Sequence, residues 1–275
     1  MRKLCLTVIL ALAILGCRKE ETPTSPPTPP PPPPPPPSLG GNPEIVEKVA
    51  TNQGADLKLT WKSVEGAYGY RVYCDGNKIW EGRDTIYTIR GSSNVCQEVE
   101  VSAYAGRDER KTYIDLTPKS STITGLVTHD SPTGYSWVKL DLPNGVASLV
   151  RQSDVDRYAP NTGWFVFYNN SGTPQFRDAS ETSIGTAKME VAFTATSSGH
   201  LAPDTGNYAV VRETSANAYH FFWADNTNIG YGSMDNYDYF GVIKVTSITG
   251  SGPYTADLVI YIQSKVPGLR WVKLY

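Results

Sequence analysis

Few side chains in this 275-residue chain have the type and spacing to do chemistry. Histidine occurs three times, at His129, His200 and His220, and a lone histidine is more often a satisfied surface or core residue than a ligand. No Gly-x-Ser-x-Gly elbow, His-Glu-x-x-His pair or glycine-rich phosphate loop is present. Asp204, Asp235 and Asp238 are residues that turns use as often as acid–base pairs do. The chain therefore reads as a non-enzyme with no catalytic residues. The densest group of binding-type side chains is Trp223-Ala-Asp-Asn-Thr-Asn-Ile-Gly-Tyr231-Gly-Ser-Met-Asp235-Asn-Tyr237-Asp-Tyr239. Aromatic faces stack on the apolar faces of sugars, while amides and carboxylates bond hydroxyls, so this mixture suits a glycan. It equally suits an adaptable protein-binding loop, or an ordinary polar turn. Trp223, Tyr231, Asp235, Tyr237 and Tyr239 are the candidate ligand-binding residues. A calcium loop of EF-hand type fails because Thr227 and Ile229 stand where ligands belong, and no metal site is assigned.

These residues must be positioned by strands. Seventeen tyrosines, abundant threonine and valine, and turn residues at short intervals indicate antiparallel β-structure, with no helical periodicity. In residues 43–118, Leu57 to Trp61, Gly69 to Cys74 and Val99 to Tyr104 alternate as half-buried strands do, and Asp75-Gly76 forms a hairpin turn before Lys78-Ile79-Trp80. Residues 119–275 hold about eight further strands: Trp137–Leu142, Trp164–Tyr168, Lys188–Thr194, Tyr208–Arg212, Tyr219–Trp223, Tyr239–Thr246, Leu258–Gln263 and Arg270–Tyr275. Val138, Leu140 and Leu142, and likewise Met189, Val191 and Phe193, alternate with their neighbours, which predicts one dry and one wet face. The fold class is all-β, with a first sandwich followed by a larger antiparallel β-sandwich or barrel. Twenty-five basic against 27 acidic residues leave nucleic-acid binding without electrostatic support.

The N-terminus predicts location. Arg2 and Lys3 precede an apolar run, Leu4 to Leu15, of signal-peptide length and too short for a permanent membrane span. It closes on Ile14-Leu15-Gly16-Cys17, which resembles the lipobox of bacterial lipoproteins. The resemblance implies cleavage after residue 16 and acylation of Cys17, so that membrane lipid is the first partner. Arg18 in place of the aspartate that marks inner-membrane retention implies an exported, outer-membrane or cell-surface location. Residues 17–42 then form a stalk: polyproline rises about 3.1 Å per residue, so Pro29 to Pro37 span roughly 28 Å, and Gly40-Gly41 restore rotation.

Leu59-Thr60-Trp61, Gly69-Tyr70-Arg71-Val72-Tyr73 and Val101-Ser102-Ala103-Tyr104 are similar to the second, third and sixth strands of a fibronectin type III domain. The resemblance puts Trp61, Tyr70 and Val72 in the core, and Gln97 departs from it where a tyrosine is often found. In that family the third and sixth strands are antiparallel neighbours, so Cys74 and Cys96 meet. An oxidising compartment favours a disulfide over two thiols, although parity turns Cys74 inward and Cys96 outward unless a bulge intervenes.

In the second unit, Trp137 to Leu142, Gly163 to Tyr168, Tyr219-His220-Phe221-Phe222 and Tyr239 to Val245 are similar in order to the strands of HmuY-like haem-binding lipoproteins. That resemblance implies haem held between His200 and His220, with His129 near the boundary between units. Without it no cofactor is expected. The chain reads as a lipid-anchored binding or adhesion module whose protein or glycan partner the residues leave unnamed.

Overall fold

The computed structural model describes residues 38–130, 134–196, 200–204, 207–225 and 234–274. The signal segment, Cys17, the proline run and Tyr231 lie outside the described residues. Residues from 36 onward form one compact unit. Within it the fold is all-β, with four antiparallel sheets arranged as two sandwiches.

In the first sandwich, β1 (Ile45–Thr51), β2 (Asp56–Trp61) and β5 (Ile86–Arg90) form one sheet in the order β1-β2-β5. The facing sheet is β4 (Asn77–Gly82), β3 (Gly69–Cys74), β6 (Glu98–Ala105) and β7 (Asp108–Asp115), in the order β4-β3-β6-β7. Alternation aims Leu57, Leu59 and Trp61 from one sheet and Tyr70, Val72, Val99 and Val101 from the other into a shared core. Asp75 and Gly76 both have positive φ, 46° and 78°, the two-residue turn whose twist suits a hairpin. Cys74 and Cys96 are bonded, with Cα atoms 5.3 Å apart. The parity objection does not apply, because Cys96 precedes β6 and is free of its alternation.

The second sandwich packs the sheet β10-β9-β11-β12-β14 on the sheet β13-β15-β16-β17-β8. Their bounds are β8 Lys119–Val127, β9 Trp137–Asp141, β10 Val146–Val150, β11 Thr162–Asn170 and β12 Thr173–Asp178. The others are β13 Glu190–Thr196, β14 Val211–Glu213, β15 Tyr219–Asp225, β16 Tyr239–Thr249 and β17 Thr255–Gln263. Both sheets stay open, which makes this a sandwich and not a barrel. Val138, Leu140, Leu142, Met189, Val191 and Phe193 meet in its core as their alternation requires.

The wet faces predicted by that alternation are in large part dry. Trp137, Trp164 and Val166 lie under Val155, Ala159 and Ile184 on the outside of one sheet. Phe221, Trp223, Phe240 and Val242 lie under Ala202, Met234 and Val272 on the outside of the other. Connections thus fold back over both sheets, so outward aromatics are buried without belonging to the central core.

Arg270–Tyr275 corrects the sequence reading as well. It forms no strand of the second sandwich; Trp271 makes only an isolated bridge to Leu201. After β17 the chain crosses to the first sandwich, where Val266, Leu269 and Trp271 enter its core. Trp271 is fully buried and its Nε1–H donates to the Ala55 carbonyl at 2.8 Å. Gln263 donates to the Leu116 and Trp271 carbonyls, both at 2.9 Å, and Gln97 donates to the Lys273 carbonyl at 3.2 Å. The position where Gln97 departs from the fibronectin pattern is therefore used to hold the C-terminal segment.

Candidate functional site

β15 pairs with β16, so residues 226–238 join two neighbouring strands, but the described candidate residues there do not form one site. Trp223 is fully buried on the outside of its sheet beside Tyr208 and Phe240. Tyr239 is buried in the central core. Both are spent on packing and present no stacking face to a ligand. Asp235 closes a turn: its carboxylate accepts the Tyr237 amide at 2.7 Å, while its own amide donates to Asp238 at 2.9 Å. Tyr237 alone of the described four is exposed, at 69 %. Alternation could not reveal this, because both faces of β15 are dry.

The two histidines singled out for haem are on opposite sides of one sheet. His220 shares the inner face of β15 with Phe222 and Ala224. The His200 carbonyl accepts the Val272 amide at 2.8 Å, and Val272 packs against the outer-face residues Phe221 and Trp223. The strands between them exclude an axial pair. His129 stands apart, with its ring stacked at 5.9 Å on Tyr168.

What the fold assembles instead is a cleft around His220. It opens between the two sheets of the second sandwich, where β13 and β14 end and β12 and β15 begin. Thr173, Thr196, Arg212, Thr214, Asn217 and His220 line it, and its volume is about 480 Å³. That is within the range of roughly 300–1,000 Å³ common for small-molecule sites. Register places the two nitrogen-bearing side chains that matter most. His220 faces inward with Phe222, and Arg212, paired with the inward Phe176, faces the same interior. His220 is 2 % exposed, its Nε2 lies 2.8 Å from Thr214 Oγ1, and Phe176 meets it edge-on at 5.6 Å. Its Nδ1 has no hydrogen-bond partner among the described residues, a cost of about 1–3 kcal/mol for a buried polar atom. Arg212 is half-buried, and none of the ion pairs among the described residues involves it.

A threonine hydroxyl bonded to imidazole could suggest an activated nucleophile, but the charge state argues otherwise. Burial, with the Arg212 guanidinium adding to it, pushes the His220 imidazole down to about 4, and no carboxylate orients the ring. The unfolded chain binds a proton near pH 6.5 that the folded protein refuses until about pH 4. Stability from this group is therefore complete above pH 6.5 and lost progressively as pH falls toward 4, by up to about 3 kcal/mol. Urea midpoints at pH 7.5 and 4.5 should differ more for wild type than for His220→Gln; equal differences would refute the assignment.

Carboxylates also come together. Glu190 faces Asp225 across the β13–β15 ladder, and burial, aided by Asp178 and Asp225, raises the Glu190 carboxyl. Asp178 is committed to structure, accepting the Ser180 and Val191 amides at 2.8 Å each. Among the described residues no group of three metal-binding side chains forms. Compared with known proteins, the chain matches no family model, no curated protein and no solved structure.

Sequence reading missed Arg212 and Thr214 as site residues. The signal available was an arginine ending a short apolar stretch, Ala209-Val210-Val211-Arg212, and only pairing with β12 turns it inward.

Proposed function

We propose that this chain is an exported lipoprotein, anchored in a membrane through acylated Cys17, whose body is a binding module carried on a proline-rich stalk. The observation that carries the reading is the order of parts along the body. The chain enters the first sandwich at Leu39 and Gly40, which bond to Asp108 and to the Glu65 carbonyl. The second sandwich joins at the opposite end, through Ala55, Gln97 and Leu116. The cleft lies farther still, since β13 and β15 reach it at the ends remote from that junction. A ligand site placed there lies at the end of the body remote from Leu39, where the described chain enters it.

Two further features support this reading. A disulfide across 22 residues suits an oxidising, extracytoplasmic compartment. The strand orders β1-β2-β5 and β4-β3-β6-β7 suit a fibronectin type III module acting as a spacer. Three acyl chains, each adding about 0.8 kcal/mol per buried CH₂, would hold such a protein almost irreversibly.

In cells expressing the full chain, Cys17→Ser should move the protein from the membrane fraction to the soluble fraction and abolish incorporation of labelled palmitate. Continued sedimentation with membranes would overturn the anchor. Protease added to intact cells should remove the body while leaving an acylated N-terminal fragment; full protection would overturn surface display.

A further inference from the structure

The chemistry of the cleft narrows what it takes. Arg212 supplies one positive charge with no carboxylate partner among the described residues, and half-burial makes such a charge worth more to a ligand than a surface lysine would be. Thr214 and Asn217 offer hydroxyl and amide groups in the same lining, while its apolar part comes from Ala195, Ala218 and Tyr219. An acyl tail finds no aliphatic wall there. A dianionic phosphate finds a single guanidinium, no second cation, and the exposed Glu213 carboxylate in the same lining. A monoanion bearing hydroxyls satisfies both parts of the lining.

Resting on the reading of this cleft as the binding site, we infer that it binds a carboxylated sugar of one or two rings, of the uronic acid kind, with the carboxylate on Arg212 and ring hydroxyls on Thr214 and Asn217. About 480 Å³ accommodates such a ligand. His220 contributes from the floor. It is neutral at pH 7, so it offers the sugar a dipole without a second charge, and the Thr214 hydroxyl 2.8 Å from its Nε2 can both donate and accept. The site departs from a flat aromatic platform of the kind the loop at residues 223–239 suggested: recognition here rests on charge and hydroxyl matching.

His220 also furnishes the readout. Its ring is held within the field of Arg212, whereas His129 and His200 lie elsewhere, so the imidazole proton resonances of the full-length chain in detergent contain one reporter and two controls. Titration with glucuronate and galacturonate should shift the His220 resonances and leave the other two unmoved. Acetate, glucose and inorganic phosphate should bind at least about tenfold more weakly, each lacking one half of the match. Arg212→Gln should weaken the uronates by about tenfold or more, the loss of one charge-assisted pair, with the spectrum otherwise folded, and should leave the weak response to glucose unchanged. Equal response to glucose and glucuronate, or undiminished uronate binding by Arg212→Gln, overturns the carboxylate assignment and leaves the cleft as a site. Preferential response to phosphate overturns it in the same way. No shift at His220 with any of these probes overturns both the ligand class and the cleft, while membrane anchoring through Cys17 is judged by its own experiment.

Discussion

Replacing Trp271 by alanine is expected to cost about 3–5 kcal/mol, the range for removing a large buried aromatic, and to affect both sandwiches at once. Trp271 belongs by sequence to the segment after β17 but lies fully buried in the core of the first sandwich with Leu57, Ile89 and Leu116. The backbone has been cleared for it. A Cβ at Gly91 would stand 2.5 Å from Trp271 Nε1, and one at Gly54 would stand 2.0 Å from the Gly268 carbonyl oxygen. Removing the indole opens a cavity and also strips the Ala55 carbonyl of its 2.8 Å partner. Since the segment carrying Trp271 also holds Val272 against the outer face of the second sandwich, its release should uncouple the two. Denaturant unfolding of wild type should show one transition, and Trp271→Ala two, with the first sandwich melting earlier. Trp271→Phe keeps most of the bulk and loses the hydrogen bond, so it should cost less. An unchanged midpoint and a single transition in Trp271→Ala would refute the coupling.

Loss of the Cys74–Cys96 bond is expected to cost about 3 kcal/mol through the loop of 22 residues that it closes. The paired alanine variant leaves two small buried gaps near Val99, since both cysteines sit in the core at 7 % and 1 % exposure. The bond also fixes the stretch before β6, where Asp75 accepts the Gln97 and Glu98 amides at 2.9 Å each and pairs with Lys273. Reduction should therefore loosen the C-terminal segment as well as the first sandwich. Thermal unfolding of the oxidised protein, the reduced protein and Cys74→Ala/Cys96→Ala should show the last two shifted down together. A variant as stable as the oxidised form would show that packing alone holds this corner.

Much of the strand framework was legible. Leu57–Trp61, Gly69–Cys74 and Val99–Tyr104 alternate, and each is a strand with its predicted face inward, because one dry face imposes a period of two on the sequence. Met189, Val191 and Phe193 were read to the core for the same reason. Alternation is silent where both faces of a strand are dry or where the strand is short. Trp223 on β15 opens a stretch whose mixture of aromatics, amides and carboxylates suits a ligand, yet Ala202, Met234 and Val272 cover it from elsewhere in the chain. β14 spans only Val211–Glu213, too short for alternation to register. Arg270–Tyr275 has the composition of a strand, yet Trp271 and Val272 face two different hydrophobic clusters.

By itself the sequence determined the all-β class, the inward face of the longer strands, the Asp75-Gly76 turn and the near balance of charge, because each is local and periodic or compositional. Tertiary structure alone decided that Trp271 completes the first sandwich, that sheet strands separate His200 from His220, and that Arg212, Thr214 and His220 meet at one cleft. Those outcomes rest on pairings between distant segments. The inward turn of Arg212 exists only because Val211–Glu213 joins β12 in a register that sets it beside Phe176, and no property of Arg212 or its neighbours encodes which strand it will join.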